Sequence, residues 1–421
     1  MTPTGRSLTL APFRVRSFRF QWPADLLTAW AFEMETLILG WYVMVQTGSV
    51  LLLTAFGSLQ FLGTLAAPMF GVLGDRLGGR AMLCAMRASF VVLAGTVAGL
   101  DLANMLTPAS VFAVSAIAGI VRPNDQVMRN ALIGETIPPD HLMGALGMSR
   151  ATMDSARIAG ALAGASLSSV LGIAGAYLVV VGFYVASLAL TFGVSRGRPV
   201  PDPSGGPGRS SRGNPVSVAR PSNWRELTDG LVHVWTTPRL LATMWLAFLV
   251  NLTAYPISSG LLPYVARTVY RIDANGLGSL VAGFSLGALL GSIAMVVSRG
   301  PRHAERSMVI TIVLWYALLL GFAHVETRAA AVLVLFLIGL AQSIAMISMS
   351  VSLLSAAGDR FRARVMGVRT LAVYGMPLGL MASGAVIGGM GFPATVTVYG
   401  AVGLVFTVLI GLRWRAKLWQ A

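Results

Sequence analysis

Charge is scarce in this 421-residue chain: 11% of its residues are charged against 55% hydrophobic, where a soluble domain carries about 25% charged residues. With a mean hydropathy of +0.74, that shortage excludes an ordinary soluble surface. Cysteine is nearly absent. Cys84 stands alone, so no intrachain disulfide can form, and no Cys/His cluster offers metal-ligand spacing. Of the 31 basic residues only Lys417 is a lysine, and it lies at the C-terminal end of the sequence with no glycine-rich loop before it. That removes the phosphate-gripping lysine of a primary ATP-driven pump. The four histidines, His141, His233, His303 and His324, fall near loop or span ends and do not pair, so an enzyme would lack its usual acid–base and ligand sets. No enzyme activity, cofactor or metal is expected.

What fills the chain is a series of apolar stretches about 20 residues long, the length needed to cross a bilayer as helix. They are placed at 18–45, 51–73, 81–100, 106–131, 142–170, 173–194, 239–266, 276–298, 306–325, 328–353, 364–390 and 393–413. The expected fold is an all-α membrane protein with twelve transmembrane helices. The formal net charge of +15 raises the question of nucleic acid, and the location of the charge answers it. Arginines crowd alternate gaps: Arg6 to Arg19, Arg76 to Arg87, Arg129, Arg196 to Arg239, Arg299 to Arg306, Arg360 to Arg369, and Arg413, Arg415 and Lys417. The other gaps hold only Arg267, Arg271 and Arg328. This is the positive-inside asymmetry, which puts both termini in the cytoplasm and the protein in a cytoplasmic (bacterial inner) membrane, with no nucleic-acid partner. The first apolar stretch is too long for a signal-peptide core and reads as a retained helix.

Residues 197–223 (GRPVPDPSGGPGRSSRGNPVSVARPSN) are rich in Gly, Pro, Ser and Arg, the composition of a flexible linker. They divide the chain into a six-helix bundle at 1–196, a cytoplasmic linker at 197–237 and a second six-helix bundle at 238–421. A weak echo between ALIGETIPPDHLMGALG (131–147) and SLLSAAGDRFRARVMGV (352–368) suggests duplication. Two pseudo-symmetric bundles around a midplane site are the layout of a secondary transporter, whose partners are a small molecule, protons and the lipid bilayer. A monomer is expected.

GVLGDRLGGR (71–80) falls between the second and third spans. Gly71 and Gly74 let a helix end approach a neighbour's backbone, Asp75 suits another helix's N-terminus, and Arg76 and Arg80 suit the inner surface. Asp75 is expected to latch onto the cluster Arg360, Arg362 and Arg364 at the start of the eleventh span. This loop resembles the signature loop of the major facilitator superfamily. WYVMVQTGSVLLL, RNALIGETIPPDHLMGALG and GDRFRARVMGV with MPLGLMASG are similar to its drug:proton antiporter branch, which includes macrolide efflux pumps and the enterobactin exporter. The resemblance implies export of a small amphipathic compound (a drug, natural product or siderophore) by proton antiport and alternating access. One departure is ARIAGALAGA (156–165), where Ala161 replaces the branch's proline and Gly160 and Gly164 must keep the helix contact tight. The alternatives are a proton-coupled importer of a small metabolite and a non-transporting receptor or scaffold of the same fold.

Intramembrane charge marks function by default. Glu33 and Glu35 sit mid-span in the first helix, about 200° apart around its axis. Glu35 shares a stripe with Thr28, Ala31, Tyr42 and Gln46, so it is the preferred cavity acid and proton carrier; Glu33 shares its side with Leu26, Trp30 and Leu37. Two further sets, Arg122/Asp125/Arg129 and Arg150/Asp154/Arg157, have local ion-pair spacing; Asp154 and Arg157 join the proton-coupling candidates as the deeper pair. The spans of the second half contain no carboxylate, only polar punctuation. Substrate-cavity candidates are Tyr42, Gln46, Arg122, Asn251, Tyr255, Gln342 and Tyr374.

Overall fold

Where backbone groups have no water to bond, a segment must satisfy them internally, and a helix does so. A computed structural model of the protein describes residues 11–64, 77–137, 139–195, 223–298 and 303–418, and these are helical almost throughout, with no strand among them. The helices are α1 (Arg16–Thr47), α2 (Val50–Leu59), α3 (Gly79–Leu102), α4 (Pro108–Thr136), α5 (Pro139–Thr191), α6 (Asn223–Thr236), α7 (Pro238–Leu249), α8 (Ala274–Val297), α9 (Ala304–Phe322), α10 (Arg328–Ala372) and α11 (Gly375–Arg413). Among the described residues, seven helical stretches are long and apolar enough to cross a membrane. Around Pro256, expected to kink its helix, α7 continues in π-helical turns at Val250–Ala254, Pro256–Gly260 and Val265–Val269. The proline cannot donate to the ladder, and the wider turn absorbs the missing bond.

Three of these helices are each two. Gly172 (φ 71°, ψ −178°), Gly358 (φ 64°, ψ 164°) and Gly391 (φ 80°, ψ 171°) interrupt α5, α10 and α11, in a backbone region open essentially to glycine. The chain reverses at each. Arg369 donates to Ser350 Oγ at 2.9 Å across Gly358, and Tyr399 Oη donates to the Gly379 carbonyl at 3.0 Å across Gly391. Before Gly172, Gly160 and Gly164 press on Trp30 to Met34 of α1; after it, Tyr184 meets Glu35 and Ser187 meets the Ala24 carbonyl further back. The expected span breaks at 170/173, 353/364 and 390/393 thus fall at these glycines.

The two halves repeat their devices. Ser49 and Asp273 cap α2 and α8, and Thr107 and Thr327 cap α4 and α10, each oxygen taking an orphan N–H of the first turn. Tyr42 donates to the Leu106 carbonyl at 2.9 Å, and Tyr270 to that of Val325 at 2.7 Å. Gly63 and Gly119 bring α4 against the chain around Leu59 just as Gly287 and Gly339 bring α8 against α10; a methyl at any of the four would strike the facing backbone. Small residues let helix backbones touch where apolar burial gives no preference over lipid. One core gathers around Leu83, Phe90, Tyr177 and Tyr184, the other around Trp315, Tyr316, Leu335 and Ile338.

Close contacts between the halves gather toward the end carrying Gly48, Gly172 and Gly391. Asn275 donates to Ser169 Oγ at 3.2 Å and Gly384 packs on Leu51 and Thr54; further along the helices, Ser58 donates to the Pro377 carbonyl at 3.1 Å. The linker expected at 197–237 gives way to helix at residue 223. α6 packs on the stretch after Gly358, where Gly230 rests on Arg364 and Val368, and Arg364 pairs with Asp229 at 3.3 Å.

Candidate functional site

α1 presents acids on several sides and each is met by arginine. Asp25 pairs with Arg87 of α3 and, at 3.6 Å, with Arg129 of α4; Arg129 also pairs with Asp125 one turn back on its own helix. Arg87 bonds Thr191 as well, and Gln21 donates to the Arg129 carbonyl at 3.1 Å. All of these side chains are buried and none lines a cavity described below. Breaking such a set leaves a charge without compensation, so its first consequence is structural.

Glu35, only 4% exposed, pairs with Arg122 and accepts a hydrogen bond from Tyr184 Oη at 2.5 Å. Arg122 donates to Thr36 at 3.3 Å and lies 4.7 Å over the Phe32 ring, on which Arg129 also sits at 5.8 Å. Phe32 thereby separates the two ion-pair sets while its ring face attracts both cations. Beside Glu35 is a void of about 10 Å³ lined by Thr36, Gln60, Ser115 and Arg122.

Glu33 faces the other way. Its carboxylate lies 3.5 Å from Arg157, and Gly160 makes the approach possible, since a methyl there would come within 2.7 Å of Glu33 Cβ. Both residues line a cavity of about 360 Å³ between the halves, with Gln60, Tyr255, Phe284 and Leu380. Arg157 also lines a neighbouring cavity of about 570 Å³ with Ser292, Gln342, Met346, Ser350 and Arg369. Gln342 donates to Tyr255 Oη at 2.5 Å, joining the two lobes, and Trp315 packs edge-on to Tyr255 with centroids 5.1 Å apart.

The structure therefore brings together Glu33, Arg157, Tyr255 and Gln342 on the cavities and turns Glu35 and Arg122 into the first half's interior. Tyr42 is tied to the Leu106 carbonyl, Gln46 is exposed at the end of α1, and Asn251 bonds back to the Ala247 carbonyl at 2.8 Å. Tyr374 sits in the turn before α11 and lines neither cavity. Arg80 donates to the Phe192 carbonyl at 2.5 Å. Gly71, Gly74, Asp75 and Arg76 lie outside the described residues, as do the side chains of Asp154, Arg360 and Arg362. Asp25, Arg87, Tyr184, Gln60 and Arg369 were not anticipated as site residues. For Asp25 and Arg87 the signal was available, since each is a charge inside an expected span.

Residues 22–376 match the sequence profile of the Major Facilitator Superfamily. No curated protein sequence matches the chain significantly. Among solved structures, the human organic anion transporter MFSD10 is 17% identical with a TM-score of 0.64, covering 94% of this chain and 99% of its own. A POT family transporter in complex with 5-aminolevulinic acid is 12% identical with a TM-score of 0.71, covering 96% and 97%. The nucleoside transporter NupG is 14% identical with a TM-score of 0.63, covering 95% and 100%. At these identities the likeness is one of fold.

Proposed function

The chain belongs to the major facilitator superfamily, and from that premise we propose that it is a proton-coupled carrier that takes up a small organic metabolite by alternating access. It is a multi-pass membrane protein that moves a small molecule as a secondary transporter, and it is not an enzyme. In this reading α1 to α5 and α7 to α11 form two bundles of six membrane helices: α5 crosses twice through its reversal at Gly172, and the part of α10 after Gly358 makes one crossing together with the part of α11 before Gly391. The arginine-rich end, where α1 starts and α10 turns at Gly358, is cytoplasmic, as the positive-inside rule asks. The contacts between halves at the opposite end then close the outer side, and the cavities serve an inward-facing state.

One observation carries the proposal: the Glu33–Arg157 pair stands on the cavity between the halves, where a cargo passes. A proton on Glu33 would release Arg157 to a cargo, so proton and cargo would load together, which is symport. Glu35 serves as a buried partner of Arg122, within reach of the cavity through Thr36 and Gln60, which line both the small void and the 360 Å³ cavity. The solved relatives named for organic anions, 5-aminolevulinic acid and nucleosides support a small polar metabolite. Export by proton antiport is the second reading, favoured by the sequence resemblance at 71–80, 129–147 and 358–384, with Asp75 as its gate latch toward Arg364.

Proteoliposomes bathed in a mixture of dipeptides, nucleosides, 5-aminolevulinic acid and aromatic carboxylates test both. An acidic exterior should accelerate accumulation of at least one component. Efflux of preloaded compound that accelerates instead would establish the antiport reading, and movement of none under either gradient would remove transport altogether.

A further inference from the structure

We infer that the cargo is an organic anion with an apolar body, its carboxylate received by Arg157 and Arg369; this rests on the transport reading above. The larger lobe is lined by those two arginines, by the neutral polar residues Ser292, Gln342, Ser343 and Ser350, and by apolar side chains. No carboxylate lines it among the described residues. Among the described residues, the lining of both lobes holds two arginines and one acid, Glu33. A cleft with low-dielectric walls and an excess of one charge sign focuses its field on the opposite sign. Arg157 lies inside the expected span 142–170, where a guanidinium is expensive enough that function is its default explanation.

The geometry of each arginine suits a shared anion. Arg369 is steadied by Ser350, to which it donates at 2.9 Å across the Gly358 reversal. Arg157 keeps 39% of its side chain exposed, and its Nε lies 3.5 Å from Glu33, longer than a tight charge-assisted bond of about 2.7–2.9 Å. A carboxylate in the lobe competes for that planar fork, which matches carboxylate geometry in a way an ammonium does not. Leu289, Ile293, Met346 and Ile347 cover the rest of the lobe and ask for an apolar body, with methionine adaptable to its shape. A cation of the same size would meet two like charges.

The test is binding to the purified full chain of three matched probes: 3-phenylpropionate, 3-phenylpropylammonium and 3-phenylpropanol. The propionate should bind best. Arg369→Gln should weaken it about tenfold or more, the worth of a charge-assisted hydrogen bond, with Arg369→Lys intermediate and the alcohol's affinity the same in all three proteins. That last comparison separates charge recognition from a misfolded lobe. Preference for the ammonium, failure of the propionate to bind, or propionate affinity indifferent to Arg369→Gln would overturn the inference. If components of the transport mixture still move in that case, only the anion assignment falls and the carrier reading stands.

Discussion

The two halves share a backbone plan and differ in how they spend polarity. The first buries Asp25, Glu35, Arg87, Asp125 and Arg129 in its interior, while in the second the buried acid among the described residues is Glu305, paired with Arg239 at the end where α7 starts. Where the first half uses ion pairs, the second uses hydroxyls: Thr253 with Tyr316 at 2.7 Å, and Ser348 with Ser307 at 3.2 Å. A hydroxyl pair can be lost at small penalty, whereas half of a buried ion pair cannot. The contrast teaches that, among the described residues, the buried ion pairs lie mainly in the first half, whereas the Glu33–Arg157 pair stands on the surface that half presents to the other.

The largest expected effect breaks this contrast directly. Arg87→Ala, which strips Asp25 of its first partner, should destabilise the protein by about 3–5 kcal/mol, read as loss of the folded peak or a lowered Tm in detergent. Thr253→Val in the second half should remove only about 1 kcal/mol. Similar losses from the two would mean that the halves are not organised differently. The shared plan predicts a smaller, symmetric effect: Gly119→Ala and Gly339→Ala should each destabilise by about 1–3 kcal/mol through overpacking. A loss confined to one of them would contradict the repeat. Arg364→Ala should change stability by at most about 1 kcal/mol, because its partner Asp229 is 58% exposed; a large loss in unfolding assays would show that α6 is a structural strut.

Much of this was legible in the chain. Apolar length predicted the helices, since a stretch of about 20 apolar residues satisfies its backbone in lipid as a helix where a barrel strand needs about half that length, and Gly172 and Gly391 fell in the expected gaps. α6 was hidden because the Pro/Gly/Ser/Arg composition before it colours the whole stretch, although Gly230 and Val234, one turn apart, mark a packing face. The helical wheel correctly separated Glu33 from Glu35 and could not say which neighbour covers each side. Polar companions made Glu35 look cavity-facing; in the structure Thr28 and Tyr42 bond within their own half, to Ser187 and Leu106, and their stripe points inward. Spacing along one helix likewise predicted an Arg122–Asp125 contact, whereas Arg122 reaches across to α1 and only Arg129 closes the local pair. Cross-helix partners are a tertiary fact that periodicity does not contain.

The central claim is that the cavity pair, not the buried one, couples protons to cargo. It is tested most directly by pH-gradient-driven uptake into proteoliposomes containing Glu33→Gln or Glu35→Gln, each measured alongside gradient-free exchange. The account predicts that Glu33→Gln loses the response to the gradient and keeps exchange, while Glu35→Gln keeps both at reduced protein stability. Full gradient-driven uptake by Glu33→Gln, with the response lost in Glu35→Gln, would contradict it.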